Sequence, residues 1–425
     1  MRITIEGGRV VDPVAGREHA ADVHVADGRI AAIGAKPAGF AAKRTLDARG
    51  LVVAPGLVDL AARLREPGFE HKATLESALE AACAGGVTSL ACPPDTDPPL
   101  DEPGLVEMLT WRAHARHRVR VHPVGALTRK LEGAEITEMA ELAQAGCVAF
   151  SQADRPIADT QVLMRAMQYA ATFGYRVWLR PQDAWLGRGG VAHDAEVATR
   201  LGLAGVPVLA ETVALATLIA LARVTGVALH VCRLSSAEGV ELVRAAKAAG
   251  VALTADVALH HVHLCDVDIG WFDPLARFEP PLRGTRDRDA LRRGLADGTI
   301  DAIASDHAPV DDDAKQLPFA EAEPGATALE LLLPLTLKWA DEARVPLPRA
   351  LATITSRAGD ILGRANAGRI DVGVPADLCV FDPRAAWRVE RAALRSQGRN
   401  TPFLGLEVQG RVRATLVDGE IVFEQ

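Results

Sequence analysis

Between residues 57 and 306 the chain alternates short apolar or β-branched runs with helix-patterned stretches, and this alternation leaves few folds open. Consecutive strands joined by helices must lie parallel, because a parallel return needs a crossover of about a dozen residues. The runs fall at 57–64, 87–93, 119–127, 147–152, 175–181, 227–234, 251–258 and 300–306. Helical patterns intervene at 73–84, 103–117, 134–145, 159–173, 208–224, 236–249 and 287–297. Eight such repeats predict a (β/α)₈ TIM-type barrel over 56–365. In that fold chemistry sits where the strands end. Candidate positions are therefore Ala61–Arg65, Pro93–Asp97, Ser151–Asp154, Arg180–Asp183, Arg233–Ser236, His260–His263 and Asp306–Val310.

The two ends of the chain have a different texture. Alternating runs surround Asp27-Gly28 near the start and Asp418-Gly419 near the finish, both strong hairpin signals. Residues 1–55 and 366–425 are expected to combine into one small composite β-sandwich. With 49% apolar residues in 425, a large core is available, and a net charge of −8 argues against a nucleic-acid binder. Cys83, Cys92, Cys147, Cys232, Cys265 and Cys379 are scattered and contain no CxxC pair, which reads as buried thiols in a reducing compartment. Met1 leads directly into the strand-like Arg2–Ile5, and no run is apolar enough to span a bilayer. A cytoplasmic protein without membrane contact is expected.

Motifs at the strand ends add a resemblance. APGLVDLAARLREPG (54–68) is followed in order by CPPDTDP (92–98), AFSQADRP (149–156), LGLAGVPVLAE (201–211) and LHVCRLSS (229–236). RFEPPLR (277–283), IDAIASDHAP (300–309), ADLCVFDP (376–383) and NTPFLG (400–405) complete the series. The whole chain thereby resembles the long-form dihydroorotases of the amidohydrolase superfamily. That resemblance implies two zinc ions at the barrel mouth, held by histidines and carboxylates.

The ligand positions carried over by the resemblance are degenerate here. The first histidine pair is replaced by Ala61 and Arg63, the bridging acid by Gln152, and two further histidines by Arg180 and Arg233. Asp306 alone keeps a ligand's identity. Guanidinium has no acceptor lone pair and stays protonated, so it cannot ligate zinc. The expectation is loss of zinc and no cofactor. Of the implied carboxylate-binding residues Arg65 persists, while Asp95 and Val310 replace an asparagine and a histidine; Asp95 is expected to occupy the Arg65 fork.

Bland readings cover most of the rest. His230, His260, His261, His263 and His307 read as scaffold, because no acidic or thiolate partner follows them at ligand spacing. His114 and His117 read as a solvated helix face, and Lys72 as loop packing. Three histidine positions all becoming arginine favours charge replacement over drift, since Asp306, Asp95 and Glu279 would otherwise be buried unpaired. The resemblance then implies a non-catalytic subunit of pyrimidine biosynthesis, likewise a homo-oligomer, that supports aspartate transcarbamoylase. An active cyclic-amide hydrolase with an atypical metal site and a small-anion sensor at the barrel mouth are the alternatives.

Overall fold

A computed structural model describes residues 2–116 and 118–425. His117 lies outside the described residues, while His114 ends the helix Pro103–His114. The N-terminal segment forms β1 (Arg2–Asp12), β2 (Arg17–Ala26), β3 (Arg29–Ile33), β4 (Arg44–Asp47) and β5 (Val52–Pro55). Then come β6 (Leu57–Asp59), β7 (Val87–Cys92), β8 (Arg120–Ala126), β9 (Ala149–Ser151) and β10 (Arg176–Leu179). A two-residue ladder, β11 (Ala192–His193) with β12 (Gly205–Val206), interrupts the series. It resumes with β13 (Ala228–Val231), β14 (Leu253–Ala258) and β15 (Ala302–Ala304). Strands β16 (Leu378–Arg388), β17 (Glu407–Val417) and β18 (Glu420–Glu424) end the chain.

Strands β6–β10 and β13–β15 form one eight-stranded parallel sheet, and each lies within one of the eight runs read from the sequence. Period-two alternation assigns the two faces. Val58, Leu60, Ala91, Val124, Trp178 and Ala302 fill the inside, while Leu57, Leu90, Leu229 and Val231 pack outward on the helices. Closure is nearly complete. At the C-terminal end Arg63 N–H donates to His307 O at 2.8 Å and His307 N–H to Ala61 O at 3.0 Å. At the other end residues 353–354 wedge between β15 and β6, accepting from Ile303 N–H and Val58 N–H.

One helix differs from its predicted span. Helix formation expected over 134–145 begins at Met139, because Arg129 N–H bonds to Glu135 O and Gly133 N–H to Thr128 Oγ1, holding 129–135 in a turn. Three helices beyond those read from periodicity, Leu332–Ala343, Leu347–Ala352 and Ser356–Leu362, lead from the barrel toward β16. Among the described residues no helix is long and apolar enough to cross a membrane.

The terminal strands make a separate module. β5 pairs antiparallel with β16, Val53 opposite Val380, so the two ends of the chain merge into one continuous sheet. Both hairpins turn through positive φ, Asp27 and Gly28 at 51° and 79°, Asp418 and Gly419 at 48° and 71°. The sheet folds over until these turns touch, enclosing Ile3, Ile5, Val23, Val53, Leu378 and Leu416.

Barrel and sheet meet at the turn before β7. Thr415 Oγ1 donates to Cys83 O at 2.7 Å. Gly86 holds φ +81°, and a Cβ there would stand 2.5 Å from the sulfur of fully buried Cys379. Gly86→Ala combines a left-handed backbone with overpacking, so it is expected to lower unfolding free energy by roughly 2–4 kcal/mol. A urea midpoint equal to the parent's would contradict this account of the junction.

Candidate functional site at the barrel mouth

Beyond the C-terminal ends of the barrel strands the backbone is strained. Arg65, Ala153, Arg233 and Asp306 hold φ values of 64°, 50°, 53° and 47°. Such conformations persist only where surrounding structure holds them, and they concentrate at functional sites. Two of these residues, Arg233 and Asp306, turn their side chains into one small volume together with Arg63, Asp95, Asp154 and Arg180.

Arg63 occupies its centre. Nε donates to Asp95 Oδ2 at 2.7 Å, Nη1 to Asp306 Oδ1 at 2.9 Å and Nη2 to Asp154 Oδ2 at 2.6 Å. One guanidinium therefore engages three carboxylates, with 8% of its side chain exposed. Arg233 sits beside it, bonding Asp154 through Nη2 and lying 3.3 Å from Asp306 Oδ1 through Nη1. Arg180 takes the outer side. Its Nη2 reaches Glu279 Oε1 and Asp154 O at 3.0 Å, while its Nε lies 2.9 Å from Asp154 Oδ1 without hydrogen-bond alignment. Arg180 does not join Asp306 in this set.

Sequence reasoning reached Asp154 only within the candidate stretch Ser151–Asp154 and gave it no role. It contacts Arg63, Arg180 and Arg233 together. The only signal was its place at the end of the fourth barrel strand, since no ligand motif singled it out. Other positions fall outside the ion pairs. Gln152 is buried and exchanges hydrogen bonds with Thr128 Oγ1. Ala61 offers no side-chain donor, and buried Val310 gives its N–H to Asn400 Oδ1 at 3.0 Å.

The expected pairing of Asp95 with Arg65 is corrected. Asp95 goes to Arg63, while Arg65 gives Nε to Pro309 O at 2.9 Å and lies 3.6 Å from Glu323. The left-handed turn at Arg65 swings its side chain away from the mouth toward the 309–323 loop. Lys72 reaches the same Glu323 at 2.7 Å and ties that loop down.

Three of these histidines, His261, His263 and His307, are held neutral by burial. Burial pushes His261 and His307 down to about 3; His261 Nε2 lies 3.1 Å from Pro280 O, and His307 Nδ1 accepts Ala328 N–H. Burial also brings His263 to about 4. His260 stacks on Phe278 with centroids 4.1 Å apart, its Nε2 3.5 Å from Asp306 Oδ2. His230 departs from expectation, because an acid and a thiol do accompany it. Register sets His230 opposite Thr254, which brings Asp256 and Cys232 alongside across the sheet. Ligand atoms of His230, Cys232 and Asp256 lie within 4.8 Å of one another. Both His230 nitrogens are already bonded, to Thr254 Oγ1 and Asp256 Oδ2 at 2.9 Å each, and Arg233 N–H occupies Asp256 Oδ1. This cluster is the one group of metal-ligating side chains among the described residues.

Charge decides the protonation of the mouth. Burial alone would raise the Asp306 carboxyl, but Arg233, the His260 contact and Arg63 outweigh it and hold it well below the usual carboxylate range. Burial opposes ionisation of Asp154 too, and Arg233, Arg63 and Arg180 overcome it. Asp154 keeps 30% of its side-chain surface, so solvent screens it more than Asp306 at 5%. A carboxylate depressed in the folded state contributes stability above its unfolded value near pH 4, and that contribution is lost progressively as pH falls below it. Asp306→Ala takes a buried carboxylate from two guanidiniums, leaving Arg63 with Asp95 and Asp154 and Arg233 with Asp154, and is expected to cost up to roughly 3–5 kcal/mol of stability. It should also flatten the acid limb of the stability profile below about pH 4. Chemical unfolding at several pH values checks both, and a variant as stable as its parent at neutral pH would refute the charge network.

Comparison with known proteins adds ancestry to this geometry. A family profile described as dihydro-orotase-like matches residues 50–239, and one described as the amidohydrolase family matches residues 187–422. A dihydroorotase-like protein of Pseudomonas aeruginosa is 46% identical over all of both chains. A dihydroorotase of Syntrophotalea carbinolica is 40% identical over 100% of this chain and 99% of its own. Among solved structures, the L-hydantoinase (dihydropyrimidinase) of Arthrobacter aurescens superposes with a TM-score of 0.90 at 25% identity, covering 99% of this chain and 96% of its own. The chain belongs to the dihydroorotase-like family of amidohydrolases.

Proposed function

We propose that this protein is a non-catalytic dihydroorotase-like subunit of pyrimidine biosynthesis that supports aspartate transcarbamoylase. The observation that carries the reading is Arg63, whose three nitrogens each rest on a carboxylate. Amidohydrolases bind metal at this mouth, and the donor set here does not fit a zinc pair. Ala61 has no donor atom, Gln152 is committed to Thr128, and Arg63, Arg180 and Arg233 bring fixed cations. A dication would be repelled by those guanidiniums and would have to displace them from their acids.

Full-length collinearity supports a subunit role, because the fold is kept intact while its chemistry is not. The partner follows from the resemblance, and a homo-oligomer is part of the same proposal. A stable subunit contact needs on the order of 1,000 Å², more than the small ion-paired mouth offers, so docking is assigned to the outer surface. Two facts favour a second reading, an active cyclic-amide hydrolase: several full-length relatives are named dihydroorotase, and His230, Cys232 and Asp256 converge. The anion-sensor reading loses support, since each mouth arginine already has a carboxylate partner.

The purified chain is expected to form and open dihydroorotate no faster than background, and to carry less than one zinc per chain by elemental analysis. Co-expressed with the aspartate transcarbamoylase of its own organism, it should elute as one complex at micromolar concentration. Turnover together with bound zinc would hand the case to the hydrolase reading. Separate elution would end the scaffold role.

A further inference from the structure

The opposite end of the barrel carries a second cavity. About 530 Å³ in size, it opens among the N-terminal ends of β10, β13 and β14 and the helix Ser356–Leu362. That volume lies in the range of small-molecule sites, and the barrel separates it from the ion-paired mouth. Its charged groups are unequally committed. Asp301 accepts Lys247 Nζ at 2.6 Å and Ala255 N–H at 2.8 Å, and Asp360 is paired with Arg369. Arg176 spends Nη1 on the carbonyls of Asp360 and Ile361. Arg357, half-buried in the lining, has no hydrogen-bond or carboxylate partner among the described residues.

A second, independent observation lies deeper in the lining. Trp178 is 3% exposed, and its indole Nε1–H has no acceptor among the described residues. Buried donors are nearly always satisfied, so an orphan in the wall of a cavity marks a place for an acceptor. The same ring, with Ile361, supplies an apolar wall. His230 closes the inner end, edge-to-face with Trp178 at 5.1 Å.

We propose that this cavity binds a small organic anion, a carboxylate on a flat apolar body, with its charge met by Arg357 and Trp178 Nε1–H and its body against Trp178 and Ile361. The site is independent of the mouth and of the proposed subunit role. Every acid in the lining is tied to a cation, whereas among the described residues Arg357 and one indole N–H have no partner and Arg176 meets only carbonyls. A cation is thereby disfavoured. A carboxylate has two acceptor oxygens to offer two donors, and charge-assisted bonds to guanidinium are the stronger kind.

The test is a fluorine NMR titration of the full chain with 4-fluorobenzoate, beside the neutral 4-fluorobenzyl alcohol. Saturable binding of the benzoate is expected, with the alcohol weaker by about ten-fold or more. Arg357→Gln, a half-buried change at a residue that joins no ion pair among the described residues, should weaken benzoate binding by about ten-fold or more. Trp178→Phe keeps the ring, removes the donor and should weaken it several-fold. Trp185→Ala, beyond the other end of the barrel, should leave it unchanged. Absence of saturable binding to the parent chain would overturn the proposal, and so would binding indifferent to both Arg357→Gln and Trp178→Phe.

Discussion

Charge compensation around one buried guanidinium governs the barrel mouth. Arg63 can stay 92% out of solvent only because Asp95, Asp154 and Asp306 surround it, and those acids stay ionised only because Arg63, Arg180 and Arg233 face them. At low dielectric neither set is stable without the other. The three arginines are therefore one unit. Any single reversion to a neutral side chain would leave an acid short of its partner, which makes joint replacement the physically coherent outcome.

The same interaction immobilises what surrounds it. Side chains from β6, β9, β10, β13 and β15 converge on the network, so it staples the strand ends together across the mouth. Strained backbone at Arg65, Arg233 and Asp306 carries side chains that are held in ion pairs. Arg65 and Lys72 extend the bracing through Glu323 into a neighbouring loop. The two ends of the barrel differ in kind: at the mouth Arg63, Arg180 and Arg233 each meet an acid, while at the N-terminal end the acids are paired and Arg357 has no partner among the described residues.

Ancestry is shared along the whole length of this molecule. Relatives named dihydroorotase and dihydroorotase-like protein match it over their full length, and a hydantoinase shares its fold. A shared barrel is compatible with many activities, and what a member can do rests on the side chains at its strand ends. Here those side chains are arginines and carboxylates in mutual contact.

Eight apolar runs interleaved with helical periodicity were sufficient to specify the barrel, and two Asp-Gly turns marked the hairpins that close the terminal sheet. Those features are local, set by burial period and turn conformation, so each is written in consecutive residues. The identities of Arg63, Arg180, Arg233 and Asp306 as a group were also legible, because collinear motifs placed them at the strand ends. Partnership was not. Asp154 as the shared acid, Asp95 turning to Arg63 instead of Arg65, and Cys232 with Asp256 beside His230 all depend on which strands are neighbours and where a left-handed residue aims its side chain. Arg357 and Trp178 lie 179 positions apart and share a cavity only once the barrel closes. Periodicity reports which face a residue occupies; only the closed sheet decides which charge it meets there, because Coulomb energies depend on distance in space and not along the chain.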